Sequence, residues 1–163
     1  MFKKIVVLAA MLAMMAFAAV AMAAPSNLRS QEIIAAARTE VPAAAVMYGY
    51  KEDVKDGDAE LNFRDNDNFL DYEVKVDLAT KKVLEVEIKG SNSADSTTIV
   101  KTEAEIRQLI LEAYPDAQNI LVRLDRDGRK AHYEADFTTA KYKVEADMNP
   151  VTGAFAKREL KYY

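Results

Sequence analysis

Cysteine and tryptophan are absent from the 163 residues, and histidine occurs once. Without cysteine there is no disulfide framework, no thiol nucleophile and no thiolate metal site. With a single histidine, a first-row metal site would rest on carboxylates, which those ions favour less than imidazole or thiolate. Clustered positive charge is also missing, since no basic run exceeds two residues. That argues against a nucleic-acid partner, whose phosphates require grouped Lys and Arg. No G-x-S-x-G elbow surrounds any serine, so the sequence announces no hydrolase nucleophile.

One long apolar run is present, and it stands at the start. Lys3 and Lys4 precede an Ala-, Met-, Leu- and Val-rich stretch from Ile5 to Val20, and Ala21-Met22-Ala23 then gives a small-x-small ending. This is the pattern of a cleavable export signal over residues 1–23, with the cut after Ala23. A retained membrane anchor is the plainer alternative, because the stretch through Ala24 is just long enough to span a bilayer. Its mildly apolar, alanine-rich character and its ending favour cleavage. A lipid-modified N-terminus needs a cysteine at the cut, and none exists. The expectation is a periplasmic or secreted protein with no stable membrane anchor after processing. Loss of Lys3 and Lys4 leaves 20 basic against 26 acidic residues, a formal charge of −6.

The remaining chain reads as one plan laid down twice. Ser30-Gln31-Glu32 opens an apolar segment that runs to Val41-Pro42, with Ser30 as the expected N-cap. Thr102 and Glu105 form the stronger start, a capping box. Ile106, Leu109, Ile110 and Ala113 follow at helical spacing, and the segment ends at Tyr114-Pro115. Alternating stretches come after each proline. Tyr48 and Tyr50, Leu61 and Phe63, Tyr72 to Leu78, and Leu84 to Ile88 supply four in the first half. Ile120 to Leu124, Tyr133 to Phe137, Tyr142 to Met148, and Ala154 to Tyr162 supply four in the second. Such alternation marks sheet with one buried and one wet face. Tyr72 and Tyr142 open similar strings, which aligns them in the repeat. Gly90 to Ser96 is small, polar and breaker-rich, a linker by composition. Asp53 to Asp58 and Arg64 to Asn68 read as acidic hairpin tips.

The expected fold class is α+β: two tandem units, each one helix followed by about four antiparallel strands, with the helices packed on one sheet face. The expected boundaries are a leader at 1–23, a first unit at 24–90, a linker at 91–97 and a second unit at 98–163. Each unit is near the lower size limit for independent folding, so the two are expected to melt together.

These residues carry a resemblance. Tyr114-Pro115-Asp116-Ala117, Tyr133 to Phe137, Tyr142 to Asp147 and Thr152-Gly153 resemble the PepSY domain, and Ser30 to Lys89 resembles it more weakly, with Lys81-Lys82 where the pattern has a glycine turn. The tandem plan is also similar to the beta-lactamase inhibitory protein, which clamps an enzyme with a concave sheet. The resemblance implies an exported, non-catalytic binding module that inhibits or regulates a peptidase or another exported enzyme. It supplies no catalytic residues and no cofactor.

Particular side chains carry the binding expectation. By alternation, Glu73, Lys75, Glu85 and Glu87 line one polar face, and His132, Glu134, Lys143 and Glu145 line another. Simple solvation with cross-strand charge pairing explains such faces too. A docking surface read by shape and charge is the functional alternative. His132 between carboxylates is either a solvent-facing strand residue or a ligand or base. Asp125-Arg126-Asp127-Gly128 and Asp65-Asn66-Asp67-Asn68 resemble pieces of calcium loops without the closing glutamate. They keep a second reading open, a small-ligand or cation sensor. Neither the partner's identity nor the oligomeric state is legible.

Overall fold

The computed structural model describes residues 27–163; the expected leader, residues 1–23, lies outside the described residues. The chain order is α1 (Leu28–Arg38), β1 (Val46–Asp53), β2 (Asp58–Asp65), β3 (Leu70–Asp77), β4 (Val83–Gly90), α2 (Glu103–Ala113), β5 (Gln118–Asp127), β6 (Lys130–Thr138), β7 (Tyr142–Met148) and β8 (Phe155–Tyr162).

The expected fold class is corrected here. The architecture is a single eight-stranded antiparallel sheet in the order β1-β2-β3-β4-β8-β7-β6-β5, and among the described residues two 11-residue helices accompany it. Two tandem units of one helix and about four strands each do not describe it. The seam is the pairing of β4 with β8, where Glu85 faces Lys161, Val86 faces Leu160, and Lys89 faces Lys157. Last strands of successive meanders are both edges until they meet, and an unpaired edge exposes a row of backbone donors and acceptors. Joining them removes two of four edges. Sequence alternation specifies each strand's faces but not its neighbour across such a seam.

Helix α2 starts as its residues dictate. Thr102 Oγ1 accepts from the Glu105 N–H, and the Glu105 carboxylate accepts from the Thr102 N–H. Tyr114 is its C-cap, immediately before Pro115. Helix α1 starts three residues earlier than expected. Asn27, not Ser30, is the N-cap: its Oδ1 accepts from the Ser30 N–H at 2.8 Å. Ser30 instead lies fully buried and donates its hydroxyl to Asn27. The helix also stops at Arg38, short of Val41, where the Arg38 guanidinium turns back onto the Ala45 carbonyl and stacks over Phe63.

Both helices cover the apolar sheet face. Ile33 and Ala37 from α1 and Ile106 and Ile110 from α2 join Leu61, Phe63, Val74, Val86, Val144, Phe137 and Leu160 in one hydrophobic cluster. Burial of this continuous layer is the main favourable term. Polar ties cross the molecule as well. The Tyr162 hydroxyl, at the end of β8, donates to Glu40 after α1 at 2.6 Å. Arg158 in β8 donates to the Tyr114 hydroxyl at 3.1 Å. The expected linker is held too, since Ser96 exchanges two backbone hydrogen bonds with Ala131 of β6.

The acidic hairpin tips have a local cause. Asp53, Asp65 and Asp77 each end a strand, and each Oδ1 accepts backbone N–H groups two and three residues on. Asn149 does the same after β7. These are Asx turns, in which the side chain replaces a backbone acceptor. The turns after Asp77 and Asn149 match in their hydrogen bonds: Thr80 and Thr152 donate back to the first residue, and Lys81 and Gly153 follow at φ 60° and 75°. Their register therefore pairs Asp77 with Asn149. It places Val144, not Tyr142, in the position of Tyr72, a two-residue correction to the repeat alignment. Tyr72 stands between Phe63 and Ile88, and Val144 between Phe137 and Leu160.

Candidate partner-binding face

With the apolar side covered by the helices, the other side of the sheet carries no helix among the described residues. All eight residues expected to bind a partner lie on it: Glu73 and Lys75 in β3, Glu85 and Glu87 in β4, His132 and Glu134 in β6, Lys143 and Glu145 in β7. The sequence placed them on two surfaces. The β4–β8 seam makes these one, about 34 Å across eight strands at ordinary strand spacing.

Strand register arranges this face in transverse rows. The central row runs Gly49, Asn62, Glu73, Glu87, Glu159, Glu145, Asp136, Leu121, one residue from each strand in spatial order. Five consecutive members are carboxylates, spanning about 19 Å. Flanking rows carry the cations. One contains Arg64, Lys89, Lys157 and Arg123, and the other Lys51, Lys75, Lys161 and Lys143. Asp71, Asp147, Glu134, Glu60 and Glu85 are interspersed, so the three rows hold ten carboxylates against eight cations.

Ion pairs along the strands and diagonally between them offset most of the repulsion. Glu87 is held by Lys157 at 2.7 Å and Lys89 at 2.9 Å, and Glu159 by Lys161 at 2.8 Å. Glu145 is held by Lys143 at 2.8 Å, and Asp136 by Arg123 at 3.1 Å. Burial pushes the Glu87 carboxyl up, but hydrogen bonds from the two lysines outweigh it and hold the group below the usual range. Lys143 likewise holds Glu145 low. Glu73 is different. Among the described residues it makes no ion pair, and burial, then Glu60 and Glu87, push its carboxyl up.

Energetics say that this pattern is not built for stability alone. Like charges directly opposite across strands destabilise by up to about 1 kcal/mol each, and exposed ion pairs return at most a similar amount. Alternating signs along the row would be the more stable choice.

Two corners have their own character. At the β1 edge, Tyr48 is the extra residue of a bulge between Met47 and Gly49. It is half exposed, and Asp71, Arg64 and Glu73 act on its hydroxyl. At the β6 end, the His132 ring is 3.1 Å from Asp95 through Nδ1 and 4.0 Å from Asp147 through Nε2. Asp125, His132 and Glu134 offer three ligand atoms within 4.8 Å of one another. The ring's hydrogen bond to Asp95 ties linker to sheet, and the group reads as part of the charge network. Shallow depressions of 220 Å³ and 100 Å³ lie between β5 and β8 on the same face, lined by Arg123, Glu134, Asp136, Glu145, Asp147, Lys157 and Glu159.

Asp71, Lys89, Asp136, Asp147, Lys157, Glu159 and Lys161 belong to the face but were missing from the expected set. Their alternation was readable, and only their registration against Glu73 and Glu145 was not.

No family model and no curated protein matches the chain. One solved structure does, that of a protein provisionally assigned as a lipoprotein in Clostridium difficile 630. It is 18% identical, covers 81% of this chain and 91% of that one, and has a TM-score of 0.30. The likeness is too loose to carry a fold or a function. Among the described residues no helix is long and apolar enough to cross a membrane.

Proposed function

We propose that this chain is an exported binding module that docks on another exported protein through its polar sheet face, and restrains that partner without catalysing a reaction itself. The observation that supports this most is the five-carboxylate row, Glu73 to Asp136, laid across strands from both ends of the chain and flanked by lysines. Such a banded charge pattern favours one docking register over others, because like-charge juxtaposition is penalised. The resemblance to PepSY units adds a partner class, a peptidase or another exported enzyme.

A photo-crosslinking side chain placed at Glu159, in the middle of the row, tests the reading in cells. Adducts to one partner should form there and not from Glu112, on the exposed side of α2. Equal labelling from both positions, or labelling from Glu112 alone, overturns it. A small-ligand or cation-sensor reading makes a different forecast: a stability gain on adding calcium that disappears when an acidic tip is neutralised, as in Asp125→Asn.

A further inference from the structure

Among the described residues Glu73 is the one member of the carboxylate row with no cation in direct ion-pair contact. Its neighbours along the row are each closed by a lysine or arginine on an adjacent strand or two residues away. Lys75 is the nearest cation on its own strand, but that ammonium is committed to Glu85 at 2.8 Å. Lys89, on the neighbouring strand, is committed to Glu87 at 2.9 Å. Arg64, one strand over, pairs with Asp71. The three cations around Glu73 each pair directly with another carboxylate; Lys75 and Lys89 attract Glu73 only through space, and burial with the like charges of Glu60 and Glu87 outweighs that attraction. A partly desolvated carboxylate in this position gains most from a cation supplied from outside.

The surroundings suit such a visitor. Asn62, the next residue of the row toward the edge, spends its amide on Glu60 at 3.1 Å. Beyond it stands Gly49, which has no side chain to block the approach. A Cβ there would come within 3.1 Å of Asn62. The β1 bulge puts half-exposed Tyr48 beside this end of the row, and Val46 is partly exposed two residues earlier. A cation approaching Glu73 thus meets a carboxylate, an aromatic ring and an unobstructed edge, and aromatic faces attract cations by about 0.5–1 kcal/mol at exposed sites. The rest of the row has no comparable vacancy, because its charges are internally balanced.

Resting on the docking reading above, we infer that the partner is a protein presenting an arginine or lysine side chain on an exposed loop, and that this side chain seats on Glu73 beside Tyr48.

The test uses a blocked peptide carrying two arginines and its citrulline counterpart, which keeps the shape and loses the charge. Each is titrated at low ionic strength into the isotope-labelled protein and followed by NMR. The arginine peptide should move the Tyr48, Asn62 and Glu73 resonances at least tenfold more tightly than the citrulline peptide. Glu73→Gln should abolish that preference, and Glu112→Gln, on the exposed side of α2 away from this face, should leave it within twofold. Equal affinity for both peptides, or shifts centred on Glu145 and Asp136, overturn the inference. The same two variants are then compared for crosslinking from position 159 to the native partner. Unchanged crosslinking in Glu73→Gln removes the cationic contact but leaves the docking face standing. Absence of crosslinks in the unmodified chain removes the docking face itself.

Discussion

Replacing Leu160 by alanine takes away a large buried side chain on the sheet's central seam. Leu160 is 6% exposed and faces Val86 across the β4–β8 pairing and Val144 across β7–β8. A buried leucine truncated to alanine costs about 2–5 kcal/mol, and this site has neighbours on both flanks that hold the cavity open, so about 3 kcal/mol is expected. For a chain of this size 1 kcal/mol moves the melting temperature by about 4 °C, giving a fall of about 12 °C. The shape of the transition matters more than its position. If the eight strands form one cooperative sheet, calorimetry shows a single endotherm whose calorimetric and van 't Hoff enthalpies agree, both before and after substitution. Val86→Ala should behave alike, and the double variant should be less destabilised than the two losses added, because the side chains touch. Two resolved transitions, with only β5 to β8 shifted by Leu160→Ala, would refute the single sheet.

Other substitutions report on particular elements. Glu73→Gln should stabilise the protein by a few tenths of a kcal/mol at neutral pH, since it removes a carboxylate facing Glu87 and near Glu60. The pH dependence has two signs. Glu73 binds its proton more tightly when folded, so stability rises as pH falls from its raised value to the ordinary one. Glu87 and Glu145 are held low, so their contribution is present above the ordinary value and lost as pH falls through their depressed ones. Urea midpoints between pH 3 and 7 should show the first effect vanish in Glu73→Gln while the second persists. Thr102→Ala should cost about 1 kcal/mol by opening the α2 cap, read by thermal melting. Gly153→Ala should cost about 2 kcal/mol, because φ is 75° and a Cβ would collide with Leu109 Cδ1. Tyr162→Phe should cost about 1 kcal/mol through the lost bond to Glu40, and a change under a third of that in a urea melt contradicts the tie.

The elements were legible from the sequence because each rests on short-range physics. Thr102 and Glu105 cap α2 within four residues, and Tyr72 to Leu78 alternate within one strand. The seam was not legible, because Val86 meets Leu160 by sheet closure, and nothing in either strand names the other. That omission split one charged surface into two. The α1 cap was missed for a related reason. Asn27 and Ser30 are both good caps by residue type, and only the burial of Ser30 under the helix decides between them. Lys81 stands where a glycine suits the turn, and the Asx turn of Asp77 carries it at positive φ regardless. Alternation put the eight candidate residues on the polar side of their strands, and the strands carry them on that side. The row of carboxylates emerged only when the eight registers were laid side by side.

Carboxyl footprinting of the protein free and in its native complex probes the binding face most directly. The account predicts protection of Glu73, Glu87, Glu145 and Glu159, with unchanged labelling of Glu32 and Glu112 on the helices. Protection of the helical carboxylates, with the sheet row still reactive, would contradict it.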